Sequence, residues 1–91
     1  MVLQTTAQAG TLESSDVMIT VSPLPAGSGV EMELTSVVMK QYGEQIRALM
    51  LEMLQEAQLT DVKLLVNDRG ALECTLRARL TTALRRSCGE A

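Results

Sequence analysis

The chain has no histidine, no phenylalanine and no tryptophan, and Tyr42 is its only aromatic residue. Without histidine there is no side chain that titrates naturally near neutral pH, and no Ser-His-Asp constellation can be assembled. Without large aromatics, the core must be built from Leu, Val, Ile, Met and Ala. The two cysteines, Cys74 and Cys88, lack metal-ligand spacing, and no secretory signal favours pairing them. They are expected to be reduced thiols in a cytoplasmic protein. No charged segment leads into an apolar one at the N-terminus, and no apolar run is long enough to span a bilayer, so no membrane role is expected. Gly27-Ser28-Gly29 lacks the lysine and the following helix of a phosphate-binding loop.

What is present fits one small folded domain spanning 1–91. The chain has 91 residues, 46% of them hydrophobic, and a formal net charge of -3, a balance that argues against disorder. Six methionines point to adaptable packing or a partner-facing surface. Through Asp68 the only basic residues are Lys40, Arg47 and Lys63; all five arginines after that point lie between Arg69 and Arg86. Overall acidity excludes a general nucleic-acid binder, which needs a basic footprint. The arginine-rich end could meet a phosphate or an acidic partner.

Residues 1–8 are polar and expected to be flexible. Val17, Ile19 and Val21 then alternate with Met18, Thr20 and Ser22, the period-two pattern of a strand with one buried face. Pro23 and Pro25 end it. Val30, Met32 and Leu34 alternate with Glu31, Glu33 and Thr35 as a second strand, and the short loop between the two predicts an antiparallel hairpin. Thr35 or Ser36 could cap the helix that follows. From Val38 to Ala57, apolar residues at Tyr42, Ile46, Leu49, Met50, Met53 and Leu54 recur at helical spacing, with Gly43 as a penalty of about 1 kcal/mol. Val62, Leu64 and Val66 form a third strand. Leu65 makes it apolar on both faces, as a central strand would be. Asn67-Asp68-Arg69-Gly70 is a turn.

The last segment carries two patterns. Leu72, Cys74, Leu76, Ala78 and Leu80 alternate as in a strand. Leu72, Leu76, Leu80, Ala83 and Leu84 form a longer helical stripe that closes on Arg85 and Arg86. The longer pattern predicts a helix over 72–87, with a strand through about Leu76 as the alternative, and a fraying tail at 88–91. The resulting order, strand-strand-helix-strand-helix, predicts an α+β two-layer sandwich. Its sheet is small and mixed, with both helices on one face.

One stretch stands apart: Ala9-Gly10-Thr11-Leu12-Glu13-Ser14-Ser15-Asp16, small residues leading to two hydroxyls between two carboxylates. As local chemistry it is a polar turn before a strand. A serine hydroxyl is a poor nucleophile without a base, and this chain offers only carboxylates. Ser14 is therefore either a plain turn residue or an acceptor that another enzyme modifies. Glu31 and Glu33 read as a solvated strand face. Arg77 and Arg79 are candidates for an anionic partner.

The stretch from Ala9 to Met18 closely resembles the N-terminal motif of citrate lyase acyl carrier proteins, the gamma chain of bacterial citrate lyase. Asp68-Arg69-Gly70-Ala71-Leu72-Glu73-Cys74, continuing through Leu76-Arg77-Ala78-Arg79-Leu80, is a second matching stretch. Gln41-Tyr42-Gly43 is also similar, with Tyr where relatives often carry Phe. The resemblance spans about residues 7–86. It implies that Ser14 carries phosphoribosyl-dephospho-CoA through a phosphodiester, with the adjacent Ser15 as the competing position, and that no residue is catalytic and no metal is bound. It further implies that the arm's thiol is acetylated. The alpha subunit then exchanges acetyl for citryl, and the beta subunit cleaves the citryl thioester to oxaloacetate. A prosthetic-group transferase would load the serine. The related malonate decarboxylase carrier is the alternative within this class; an interaction domain with no prosthetic group is the alternative outside it. Fatty-acid carriers, helical bundles with the serine at a helix start, differ, because here Ser14 precedes a strand.

Overall fold

A computed structural model describes residues 1–89. Four strands and two helices follow in the order β1 (Ala7–Gly10), β2 (Val17–Pro23), β3 (Val30–Ser36), α1 (Met39–Glu56), β4 (Val62–Asp68) and α2 (Glu73–Ser87). The sheet order is β1-β2-β4-β3. β2 runs antiparallel to both β1 and β4, and β3 runs parallel to β4. The sheet is thus mixed and the fold is α+β, as the patterning indicates.

Period-two alternation decides which face is covered. Val17, Ile19 and Val21 of β2 and Val62, Leu64 and Val66 of β4 are all buried. Ile46, Leu49, Met50 and Leu54 of α1 and Leu76, Leu80, Ala83 and Leu84 of α2 join them in one cluster. Both helices therefore lie on the same sheet face. Each of these large side chains contributes roughly 1.5–3 kcal/mol on burial. Leu65, on β4, is 38% exposed on the open face: the strand is central, but its second face stays wet.

Four expectations need correction. A further strand, β1, precedes the first expected one. Before it, Gln4 and Thr5 both donate backbone N–H groups to the Ser87 carbonyl. The expected hairpin is absent: β4 lies between β2 and β3. The loop joining them instead wraps the start of β4. Leu24 N–H donates to the Asp61 carbonyl, Val62 N–H to the Gly29 carbonyl, and Gly29 N–H to the Asp61 carboxylate at 2.9 Å. Neither Thr35 nor Ser36 caps α1; Ser36 Oγ accepts from Val38 N–H one residue outside the helix. Tyr42 is 53% exposed, whereas Gly43 is buried, so the packed stripe is rotated by a residue in the first turns.

Residues 73–87 are helical, and the strand alternative is not adopted. Within the tail expected to fray, residues 90 and 91 lie outside the described residues. Among the described residues no helix is long and apolar enough to cross a membrane.

Candidate functional site: the Thr11–Asp16 turn

The turn joins the last residue of β1 to the first of β2. Gly10 enters it with φ +98°, and a Cβ there would lie 1.8 Å from the Val17 carbonyl oxygen. Only glycine fits. Asp16 N–H donates to the Glu13 carbonyl at 3.2 Å, closing a four-residue turn with Ser14 and Ser15 at its corner. Ser15 takes φ +63°, the left-handed position of that corner. The turn is then stitched to the end of β4. Ser15 N–H donates to the Arg69 carbonyl and Arg69 N–H to the Asp16 carbonyl, both at 2.9 Å.

Asp16 is the hub of the turn. Its Oδ1 accepts from Val17 N–H at 2.7 Å and from Arg79 Nε at 3.1 Å. Its Oδ2 accepts from Thr11 Oγ1 at 2.6 Å and from Arg79 Nη2 at 2.9 Å. Thr11 Oγ1 in turn accepts from Glu13 N–H. The Arg79 guanidinium, then the Thr11 hydroxyl and the Val17 amide, hold the Asp16 carboxyl well below the usual carboxylate range.

Ser14 sits at the one corner of this network that nothing binds. It is exposed, and among the described residues its hydroxyl has no hydrogen-bond partner. Ser15 is also exposed and its hydroxyl likewise has no partner among the described residues, but its amide donates to the Arg69 carbonyl. The chain has no histidine and no carboxylate bonds the Ser14 hydroxyl among the described residues, so the hydroxyl is displayed rather than activated. Among the described residues, no group of three or more His, Cys, Asp or Glu side chains could hold a metal ion. Cys74 and Cys88 are unpaired.

Two features escaped the sequence patterns. Arg79, an expected anion-binding candidate, is already committed to Asp16, 63 positions away in the chain. Arg77 pairs instead with Glu73 on its own helix. Asp68, expected in a simple turn, is 1% exposed and bridges three segments: its Oδ2 accepts from Ser36 Oγ at 2.8 Å and its Oδ1 from Ala71 N–H at 2.9 Å. Its sequence signals are the turn in which it stands and its place at the head of the second matching stretch. Beside it a groove of about 370 Å³ opens between the starts of α1 and α2, lined by Tyr42, Ile46, Leu72 and Leu76 among others.

The turn thus displays an exposed serine hydroxyl beside a small mixed sheet. Comparison with known proteins places the chain in a family. A family model for ACP, described as malonate decarboxylase delta subunit (MdcD), matches residues 4–87. The citrate lyase acyl carrier protein of Serratia proteamaculans is 51% identical over 90% of this chain and 79% of its own length. That of Edwardsiella ictaluri is 47% identical over 89% of this chain and 82% of its own. That of Latilactobacillus sakei is 44% identical over 99% and 87%. Among solved structures, a crystal structure of a Pseudomonas malonate decarboxylase hetero-tetramer in complex with malonate contains a chain that matches at TM-score 0.68. It is 20% identical, with 91% of this chain and 84% of that chain covered, a likeness of fold. The chain belongs to this acyl carrier protein family, as a carrier rather than a catalytic subunit.

Proposed function

We propose that this protein is the acyl carrier of a citrate lyase and that Ser14 Oγ is its attachment atom for phosphoribosyl-dephospho-CoA. The observation that carries the reading is the unbonded, exposed Ser14 hydroxyl on a turn held by the Asp16 and Arg69 bonds. The turn fits such a group, because a bulky substituent on Ser14 would leave into solvent without displacing a packed side chain. When bound, the group supplies a thiol on which an acyl thioester is carried.

The chain's own part is to present and tether. On loading, Ser14 Oγ attacks the phosphorus of a phosphoanhydride donor. The Oγ–P bond forms, the anhydride P–O bond breaks with a polyphosphate leaving, and the hydroxyl proton passes to a base on the transferase. Once loaded, the carrier holds the thiol near both catalytic subunits, an acyl-exchanging alpha and a citryl-cleaving beta subunit, at high effective concentration. Cytoplasmic location follows from that reading. Citrate lyase is favoured over malonate decarboxylase because the curated relatives at 44–51% identity are citrate lyase carriers.

Incubation with the prosthetic-group transferase and its activated donor tests the reading. A single adduct should appear on the Ser14 peptide, and Ser14→Ala should remain bare while keeping its thermal midpoint. Loading of Ser14→Ala but not of Ser15→Ala would move the site by one residue.

A further inference from the structure

No apolar side chain anchors the Thr11–Asp16 turn. Leu12 is 47% exposed, and Glu13, Ser14 and Ser15 are all exposed. Segments held without buried apolar contacts open at low free energy, so the shape of this turn rests on its polar anchors. Two of them are backbone bonds to Arg69, and one is the internal turn bond. The rest reach the Asp16 carboxylate directly or, for the Glu13 N–H, end on the Thr11 hydroxyl that donates to it; the carboxylate joins the first residue of the turn (Thr11) to the first of β2 (Val17). That carboxylate has one external restraint, the two-pronged guanidinium of Arg79, reaching over from α2. The pair is partly shielded, with the Asp16 side chain 14% exposed and that of Arg79 40% exposed. The arginine stem passes over the missing side chain of Gly10, where a Cβ would lie 3.3 Å from Arg79 Cδ. Gly10 thus clears the path for both the β2 backbone and the arginine.

We propose that Arg79 is a positioning residue for the loading of Ser14: from α2 it fixes the Asp16 carboxylate and so keeps the turn in the one shape that displays the serine to the transferase. This rests on the reading of Ser14 as the loaded hydroxyl. Arg79 touches neither the hydroxyl nor the incoming group; it acts through Asp16. A planar fork that bonds both carboxylate oxygens restrains orientation as well as position, which a lysine cannot do. Without it, the turn would populate its competent shape only part of the time. A partner that needs that shape then binds with an apparent affinity reduced by the same fraction.

The test compares full-length wild type, Arg79→Gln, Arg79→Lys and the control Arg77→Gln, whose target pairs on the same helix with Glu73 alone. In the bare proteins, amide exchange at Ser15, Asp16 and Val17 should accelerate by about tenfold in Arg79→Gln, while Leu64 and Val66 at the sheet centre stay protected. In loading assays the KM for Arg79→Gln should rise by about tenfold, with kcat within about threefold of wild type. Arg79→Lys should fall between, and Arg77→Gln should match wild type. Unchanged exchange at the turn together with unchanged KM would overturn the proposal. Acceleration spread equally over β2 and β4 would also overturn it, since the arginine would then support the domain rather than the turn. If wild type accepts no group at all, the attachment reading fails, and the exchange comparison still decides whether Arg79 orders the turn.

Discussion

At the scale of single residues, three positions around the turn have distinct tasks. Gly10 is required by space as well as by backbone angle, because even the smallest side chain would meet the Val17 carbonyl at 1.8 Å. Gly10→Ala is expected to cost more than about 3 kcal/mol or to prevent folding, as urea unfolding would show. Ser14 is the opposite case. Its hydroxyl bonds nothing among the described residues, so Ser14→Ala should change stability by less than about 0.5 kcal/mol while removing the atom proposed for attachment. Asp16 adds a pH dependence. Its folded-state pKa lies below its ordinary value of 3.8, so the carboxylate binds protons more readily in the unfolded chain. Its contribution is therefore complete above that ordinary value and is lost as pH falls further, toward the depressed folded value. Asp61 behaves in the same sense, its carboxylate favoured chiefly by the Gly29 N–H. Urea midpoints at about pH 6 and about pH 3 should differ more for wild type than for Asp16→Asn.

At the scale of elements, α1 and three of the strands were legible because their periodicities were clean, and α2 because its helical stripe outran the competing alternation over 72–80. β1 was not. Four residues with only Ala9 fully buried give no alternation to detect, and the strand exists because it pairs with β2 and lies under α2. The hairpin expectation failed for a related reason. A loop that wraps the first residue of another strand carries the same prolines and glycines as one that simply reverses. Only the bonds to Asp61 tell them apart.

Gly43 shows how a local penalty can be real and yet avoidable. A Cβ there would approach Met39 Sδ at 2.7 Å, but that sulfur is the flexible tip of a 42%-exposed side chain able to swing away. Gly43→Ala should raise the thermal midpoint, through a gain of up to about 1 kcal/mol in helix propensity; a loss would mean Met39 cannot move. Asp68 is the more demanding position. Replacing it with Ala strands the Ser36 hydroxyl and the Ala71 amide, at about 1–3 kcal/mol for each group left unpaired. Urea unfolding of Asp68→Ala should show a correspondingly lower midpoint.

At the scale of the whole molecule, the fold brings the candidate turn and the Asp68 junction together at one end. The start of β2, the ends of β3 and β4 and the start of α2 meet around Asp68 and Arg69, and the Ser14 corner is bonded to that same junction. That the small residues, hydroxyls and carboxylates around Ser14 form an exposed turn could be read from the sequence. Its support could not: Arg79 lies 63 residues from its partner, and nothing in the spacing of two arginines on a helix says which one turns inward. The absence of histidine is consistent with this division of labour, since a carrier needs a rigid platform and an exposed hydroxyl but no base of its own.

Peptide mapping by mass spectrometry of the protein purified from cells that express its transferase tests the central claim most directly. One modified serine, Ser14, is expected, bearing the mass of phosphoribosyl-dephospho-CoA in phosphodiester linkage. An unmodified Ser14 in such cells, or the adduct on any other residue, would contradict it.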